Sequence, residues 1–353
     1  MNNIKELLTM TIAKKASDLH LVVGGPAYLR IDGKLTAVNE EVITAAQAKD
    51  LIFPLLNPEQ KDKFLVNKEL DLSVAFGSLG RFRVNVYFQQ GSMAAALRLI
   101  SDKIRSVEEL NLPKVCLEVA ELKQGLVLVT GPTGHGKSTT LAAIINQINQ
   151  NRAEHIVTIE DPIEYIYKPI KSIISQREMH GDTHSWAVAL RSVLREDPDV
   201  VLVGEMRDYE TIAAALTVAE TGHLVLATLH TNSAGQTIDR IVDVFPEHQQ
   251  GQIRMQLSGT LSAVIAQRLI PAIGSGRVVA TEVLLGTSAV KTTIREGKSH
   301  LINNVIQTSG DLGMHSLEQD LANLVNTGKI DLKTAREYCL NPNDLLRLVH
   351  GKI

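Results

Sequence analysis

Apolar residues recur along this chain in three registers, and each predicts a different kind of element. Over residues 4–15 the spacing suits a short helix. Two later segments alternate instead. "YLRIDGKLTAV" reads as two extended runs about Asp32-Gly33, a dipeptide that tolerates the positive φ of a tight hairpin turn. "LDLSVAFGSLGRFRVNVYFQQ" reads as a second hairpin about Gly77 to Gly80. Its second strand puts Phe82, Val84, Val86 and Phe88 on one face and Arg81, Arg83, Asn85 and Tyr87 on the other. "AALRLI" adds a further strand, carrying Arg98.

From about residue 121 the third register takes over. "GLVLVTG", "HIVTIED", "DVVLVGE" and "HLVLATLH" are unbroken apolar runs, the pattern of strands buried on both faces. Between them Leu141, Ile144, Ile145 and Ile148 are spaced for one helix face, and so are Trp186, Leu190, Val193 and Leu194. Strand–helix alternation predicts an α/β fold with a mostly parallel sheet flanked by helices, and a helical tail from about residue 288. Residues 101–120 are polar, contain Pro113 and lack strand alternation, so they are expected to be a linker or domain edge. The expected organisation is a small α+β domain over 1–100, that edge, and an α/β domain over 121–353.

Composition fits two ordinary globular domains. The chain has 353 residues, 44% hydrophobic and 21% charged, with a formal net charge of −3. No long basic run provides a footprint for sequence-independent nucleic-acid binding, so no nucleic-acid partner is expected. The two cysteines, Cys116 and Cys339, lie outside any CxxC spacing and indicate neither a disulfide framework nor a zinc site. No window has the roughly 18 apolar residues of a membrane span. A cytoplasmic protein that meets membranes only through partners is expected.

One stretch carries the chemistry. Gly131-Pro132-Thr133-Gly134-His135-Gly136-Lys137-Ser138 follows a predicted strand and precedes a predicted helix, the context in which G-x4-G-K-[ST] is a phosphate-binding loop. Its glycines let backbone N–H groups turn towards phosphate oxygens, and the helix N-terminus adds its positive end. Lys137 would meet the β- and γ-phosphates of ATP, and the Ser138 hydroxyl, beside Thr139, would ligate Mg²⁺.

Hydrolysis also needs a carboxylate to orient water and a cation to offset developing charge. "DVVLVGEMRD" ends a buried strand in Glu205, placed for the first task, although Gly204 stands where many such ATPases carry an aspartate. "IVTIEDPIEY" brings Glu160, Asp161 and Glu164 to another strand end, where Asp161 or Glu164 could equally cap the next segment. "TGHLVLATLHTNSA" holds His223 at one end of a strand and His230 at the other; His230 is the candidate γ-phosphate contact, and His223 could report on subunit packing. The α/β domain offers no obvious arginine finger near Glu205. Arg81, Arg83 and Arg98 of the small domain are either a solvated strand face or, in a ring of subunits, guanidiniums given in trans to the neighbour's nucleotide.

Taken together, the phosphate loop, "IEDPIEY", "VLVGEMRD" and "TGHLVLATLHTNSA" resemble the secretion and pilus-motor ATPases, a likeness that extends to "ASDLHL" and "GRFRVN". "AVKTTIREGK" and "GMHSLEQDL" are similar to segments of the type IV pilus retraction ATPases; Ala289, Ile294, Arg295 and Glu296 match the eight-residue AIRNLIRE-type pattern. The resemblance implies a PAS-like N-terminal domain and a RecA-like ATPase domain, assembled as a homo-hexamer. It implies ATP and Mg²⁺ as cofactors and a motor that docks on an inner-membrane platform protein within the pilus machinery. It assigns Lys137 and Ser138 to phosphate and Mg²⁺, Glu205 to hydrolysis, Glu160 and Asp161 to an acidic box, His223 and His230 to a histidine box, and small-domain arginines to the subunit boundary. His135 departs from the serine more usual at its position. The pilus-extension and type II secretion ATPases share these motifs but commonly add an N-terminal domain and a four-cysteine metal site. A nucleic-acid translocase and a small-molecule kinase are the readings from other classes.

Overall fold

Hydrophobic alternation closes the first sheet. In the computed structural model, which describes residues 3–31, 33–77, 80–100 and 103–350, Phe82, Val84 and Val86 are buried on one face of a long strand while Arg83 on the other is exposed. The chain forms two compact units, one of residues 1–103 with 162–166, the other of 104–161 with 167–353.

The first unit begins with α1 (Ile4–Ala13), capped by the Asn3 side chain on the Glu6 N–H. Strands β1 (Asp18–Leu21), β2 (Tyr28–Ile31) and β3 (Lys34–Ala37) follow, then helices α2 (Ala45–Ile52) and α3 (Pro58–Asn67), then β4 (Glu69–Phe76), β5 (Gly80–Gln89) and β6 (Ser92–Ile100). The sheet is antiparallel throughout, in the order β3-β2-β1-β6-β5-β4. Both hairpins read from the sequence are present, β2 with β3 and β4 with β5. Asp32, Ser78 and Leu79 of their turns lie outside the described residues. The core joins Leu7 and Leu8 of α1, Leu51 and Ile52 of α2 and Phe64 of α3 to the inner faces of the strands.

The second unit contains α4 (Val115–Glu121), β7 (Gly125–Thr130), α5 (Lys137–Asn151), β8 (His155–Glu160), β9 (Ile173–Glu178), α6 (Trp186–Val193), β10 (Val200–Val203) and α7 (Tyr209–Glu220). It continues with β11 (Leu224–Leu229), α8 (Ala234–Asp243), α9 (Glu247–Thr260), β12 (Leu261–Pro271) and β13 (Arg277–Leu285). Helices α10 (Ser288–Arg295), α11 (Ile302–Thr308), α12 (Leu317–Asn326), α13 (Leu332–Tyr338) and α14 (Pro342–His350) complete it. The sheet order is β13-β12-β7-β11-β10-β8-β9. Every neighbouring pair is parallel except β12 with β13. β7, β10 and β11 are buried at every position, the burial that unbroken apolar runs predict.

Three strands of this second sheet were not legible in the pattern. β9 is an edge strand whose polar and apolar residues carry no buried run, and β12–β13 is an antiparallel hairpin added beyond the alternating units. The sheet is therefore mixed. The stretch read as a linker contains α4, whose Val115, Cys116, Val119 and Ala120 recur at helical spacing and are buried; Pro113 lies just before the helix, where it breaks nothing. Among the described residues, no helix is long and apolar enough to cross a membrane.

Candidate active site

In parallel sheets the loops leaving the C-terminal strand ends share one edge, and ligands bind there. Adjacent strands β7, β11, β10 and β8 bring four segments to that edge: the glycine-rich loop, His230, Gly204-Glu205 and Glu160-Asp161. Gly134 and Gly136 sit at φ 80° and 86°, in the left-handed region that a glycine enters without strain. Their N–H groups donate to no acceptor among the described residues, and neither does that of Ser138, the second residue of α5. Orphan donors at the start of a fifteen-residue helix make a site for phosphate oxygens. A Cβ at Gly134 would meet nothing, so the loop is open above that residue.

Lys137 is only 8% exposed and curls back over the loop, where its Nζ donates to the carbonyls of Gly131 (2.8 Å) and Pro132 (3.1 Å). The same ammonium lies 3.4 Å from His230 Nδ1, and so does Thr133 Oγ1. His230 Nε2 lies 3.0 Å from Glu205 Oε1. An ammonium can only donate, so this network assigns the imidazole its proton on Nε2, facing the carboxylate. Arg207 Nε closes on Glu205 Oε1 at 2.7 Å and its second nitrogen on Oε2 at 2.8 Å, a two-pronged pair. Burial alone would raise the Glu205 carboxyl. The hydrogen bond and charge of Arg207 and the proximity of His230 outweigh that, and hold it below the ordinary glutamate value.

One imidazole thus links the loop lysine to a strand-end glutamate. The sequence matches the profile described as type II/IV secretion system protein over residues 1–299. The chain belongs to that family. It is 47% identical over 342 residues to the type IV pilus retraction ATPase PilT of Pseudomonas aeruginosa, covering 97% of this chain and 99% of that protein. It is 46% identical over 318 residues to a twitching motility protein of Neisseria gonorrhoeae, covering 90% and 85%. A crystal structure of the pilus retraction motor PilT with bound ADP superposes with a TM-score of 0.92 at 46% identity, covering 98% of this chain and all of that one. The secretion-family chain is accordingly an ATPase that uses adenine nucleotide.

Other predicted site residues of this secretion-family protein fall in distinct places. Glu160 is buried at the end of β8, its Oε1 accepting from Thr158 Oγ1 (2.7 Å) and Gln176 Nε2 (3.3 Å). Asp161 is exposed beside it and, after Glu205, contributes to raising the Arg207 guanidinium's pKa. Ser138 has no side-chain partner among the described residues, which leaves its hydroxyl available for a metal ion arriving with phosphate. His223 is not brought to the loop. It precedes β11, at the opposite sheet edge from His230, with Nδ1 against Val218 O (3.1 Å) and Thr221 Oγ1 (3.0 Å).

In the first unit, Arg98 pairs with Asp18 (2.9 Å) and Arg81 donates to Ser73 Oγ. Arg83 stands directly opposite Arg98 in the sheet, exposed and without a partner among the described residues. The α/β unit, in which no obvious arginine finger was read, does hold an arginine beside Glu205. Arg207, two residues on in "GEMRD", leaves the strand end on the same side as Glu205 and reaches its carboxylate. Gln267 was also missed, since 132 positions separate it from His135, the loop residue it hydrogen-bonds. Its one signal was a polar residue inside the apolar run "LSAVIAQRLI", which burial obliges to find partners.

Proposed function

We propose that this protein is an ATP-hydrolysing motor for type IV pilus retraction, driving pilin disassembly and twitching motility as a homo-hexameric ring. The observation that carries this reading is the 47% identity with PilT across nearly the full length of both chains. The first unit is then a PAS-like domain and the second a RecA-like ATPase domain. The protein works in the cytoplasm against an inner-membrane platform protein, with no insertion into lipid and no nucleic acid.

In this reading the N–H groups of Gly134, Gly136 and Ser138 receive the phosphates, with Thr133 and Thr139 flanking them, and Lys137 leaves the loop carbonyls for phosphate oxygens. Mg²⁺ bound with the triphosphate supplies charge neutralisation, with the Ser138 hydroxyl as its protein ligand. Glu205 orients the attacking water, and its lowered pKa keeps it ionised for that task. His230 carries the state of Lys137 to Glu205 through its two ring nitrogens. Glu160 and Asp161 take the place of the aspartate absent at Gly204. Arg83, the unpaired one of the three small-domain arginines, is the first choice for a guanidinium given to the neighbouring subunit, with Arg81 and Arg98 behind it.

Deleting the gene and complementing with wild type, Lys137→Ala or Glu205→Gln tests the proposal. Cells lacking a retraction motor are expected to be hyperpiliated and unable to twitch, and only the wild-type gene should restore movement. Bald cells would instead identify an extension motor.

A further inference from the structure

The geometry points to Gln267 as a positioning residue for the nucleotide: through this side chain, β12 holds the phosphate loop in the shape that accepts phosphate. The inference rests on the nucleotide-site reading above and names what maintains that site. Gln267 is 2% exposed in a strand whose other buried positions are all apolar. A carboxamide buried so deeply costs stability unless each end is satisfied. Here Oε1 accepts from Thr140 Oγ1 of α5 at 2.8 Å, and Nε2 donates to the carbonyl of His135 at 2.6 Å. The backbone joins in, because Leu269 N donates to His135 Nδ1 at 3.1 Å. A Cβ on Gly131 would run into the Gln267 carbonyl, and one on Gly136 would come within 3.3 Å of Nε2. The loop is therefore seated on one residue of β12 at its start, middle and end.

The His135 carbonyl decides what this seating does. In a trans peptide the C=O and the following N–H point in opposite directions. Tying the His135 oxygen to Gln267 turns the Gly136 N–H away from β12, and that N–H is one of the orphan donors at the loop. Without the carboxamide the peptide can rotate. An oxygen would then face the phosphate in place of a donor, and each binding event would include the cost of ordering the loop. A contribution of this kind acts equally on bound ATP and on its transition state. It therefore appears in KM and Kd, with little change in kcat.

The test compares wild type with Gln267→Met, which keeps the volume and loses both hydrogen bonds, and with Gln267→Glu, which keeps the acceptor towards Thr140 and loses the donor towards His135. Dissociation constants for a fluorescent ADP analogue, KM and kcat for ATP, and the melting temperature without nucleotide are measured on each. Both variants should show Kd and KM raised about tenfold with kcat changed less than about threefold. Wild-type Kd and KM in either folded variant, or a lowered melting temperature with unchanged KM, would overturn the assignment and leave Gln267 a packing residue. Failure of the wild-type protein itself to bind the ADP analogue would count against the nucleotide site and not against Gln267.

Discussion

His230 and Glu205 are joined across neighbouring strands, with Nε2 3.0 Å from Oε1, while the other ring nitrogen lies 3.4 Å from Lys137 Nζ. The imidazole thus touches both the lysine proposed to meet phosphate and the carboxylate proposed to orient water. Removing it should leave nucleotide binding nearly intact, because the loop N–H groups and Lys137 remain. His230→Ala is expected to lower kcat on the order of 100-fold with less than about threefold change in Kd for ADP. His230→Gln, whose amide has both a donor and an acceptor, should recover part of the loss. Steady-state turnover and ADP titration check both; equal losses in kcat and binding would make His230 a loop anchor instead.

Arg207 holds both oxygens of Glu205, yet its own side chain is 76% exposed. A pair so open to solvent contributes little to folding and can release readily. Its measurable effect is on protonation. Arg207 is the first of the groups that lower the Glu205 carboxyl against the opposing effect of burial. In Arg207→Ala that carboxyl should titrate at higher pH, so the acid limb of the kcat/KM profile moves upward in pH while the melting temperature stays near wild type. A profile identical to wild type would show that Glu205 is not the group titrating on that limb.

The phosphate loop, Glu205 and His230 were legible because each lies within or directly after an apolar run, and strand ends converge in a parallel sheet. Arg207 was on the page too, but a polar residue past a strand end has no periodicity to aim it. Gln267 and its partner His135 were invisible as a pair: β12 comes beside β7 only through sheet order, which local pattern does not encode. The separation of His223 from His230 was hidden for the converse reason. Two histidines in one motif lie close in sequence, but a six-residue strand carries them to opposite sheet edges.

Gly204 is small because the space is taken. A Cβ there would lie 3.2 Å from the Ile159 carbonyl, 3.3 Å from Glu160 Cα and 3.3 Å from the Trp186 ring. Two of those three neighbours are backbone and cannot yield cheaply. Restoring the aspartate common in related sites, Gly204→Asp, should therefore destabilise the unit by about 1–3 kcal/mol and give no gain in turnover. Gly204→Ala should fall between. Thermal unfolding decides, and a wild-type melting temperature for Gly204→Asp would mean that β8 and β10 can separate at their ends.

Glu282 links stability to pH. Its Oε1 accepts the N–H of Ala234 at 2.6 Å, at the start of the helix that follows His230. Burial pushes its carboxyl from 4.5 up to about 7, with the charge of Glu318 adding to the rise and the Ala234 N–H and Arg268 opposing it. A carboxyl raised in the folded state gives stability that is present in full below its unfolded value and is lost as pH climbs through the folded one. Glu282→Gln keeps an acceptor for Ala234 and removes the titration. At pH 8 this variant should exceed wild type by on the order of 3 kcal/mol, and the gain should shrink towards zero near pH 5. Melting temperatures of both proteins across that range test it; a difference that stays constant with pH would show that Glu282 does not titrate there.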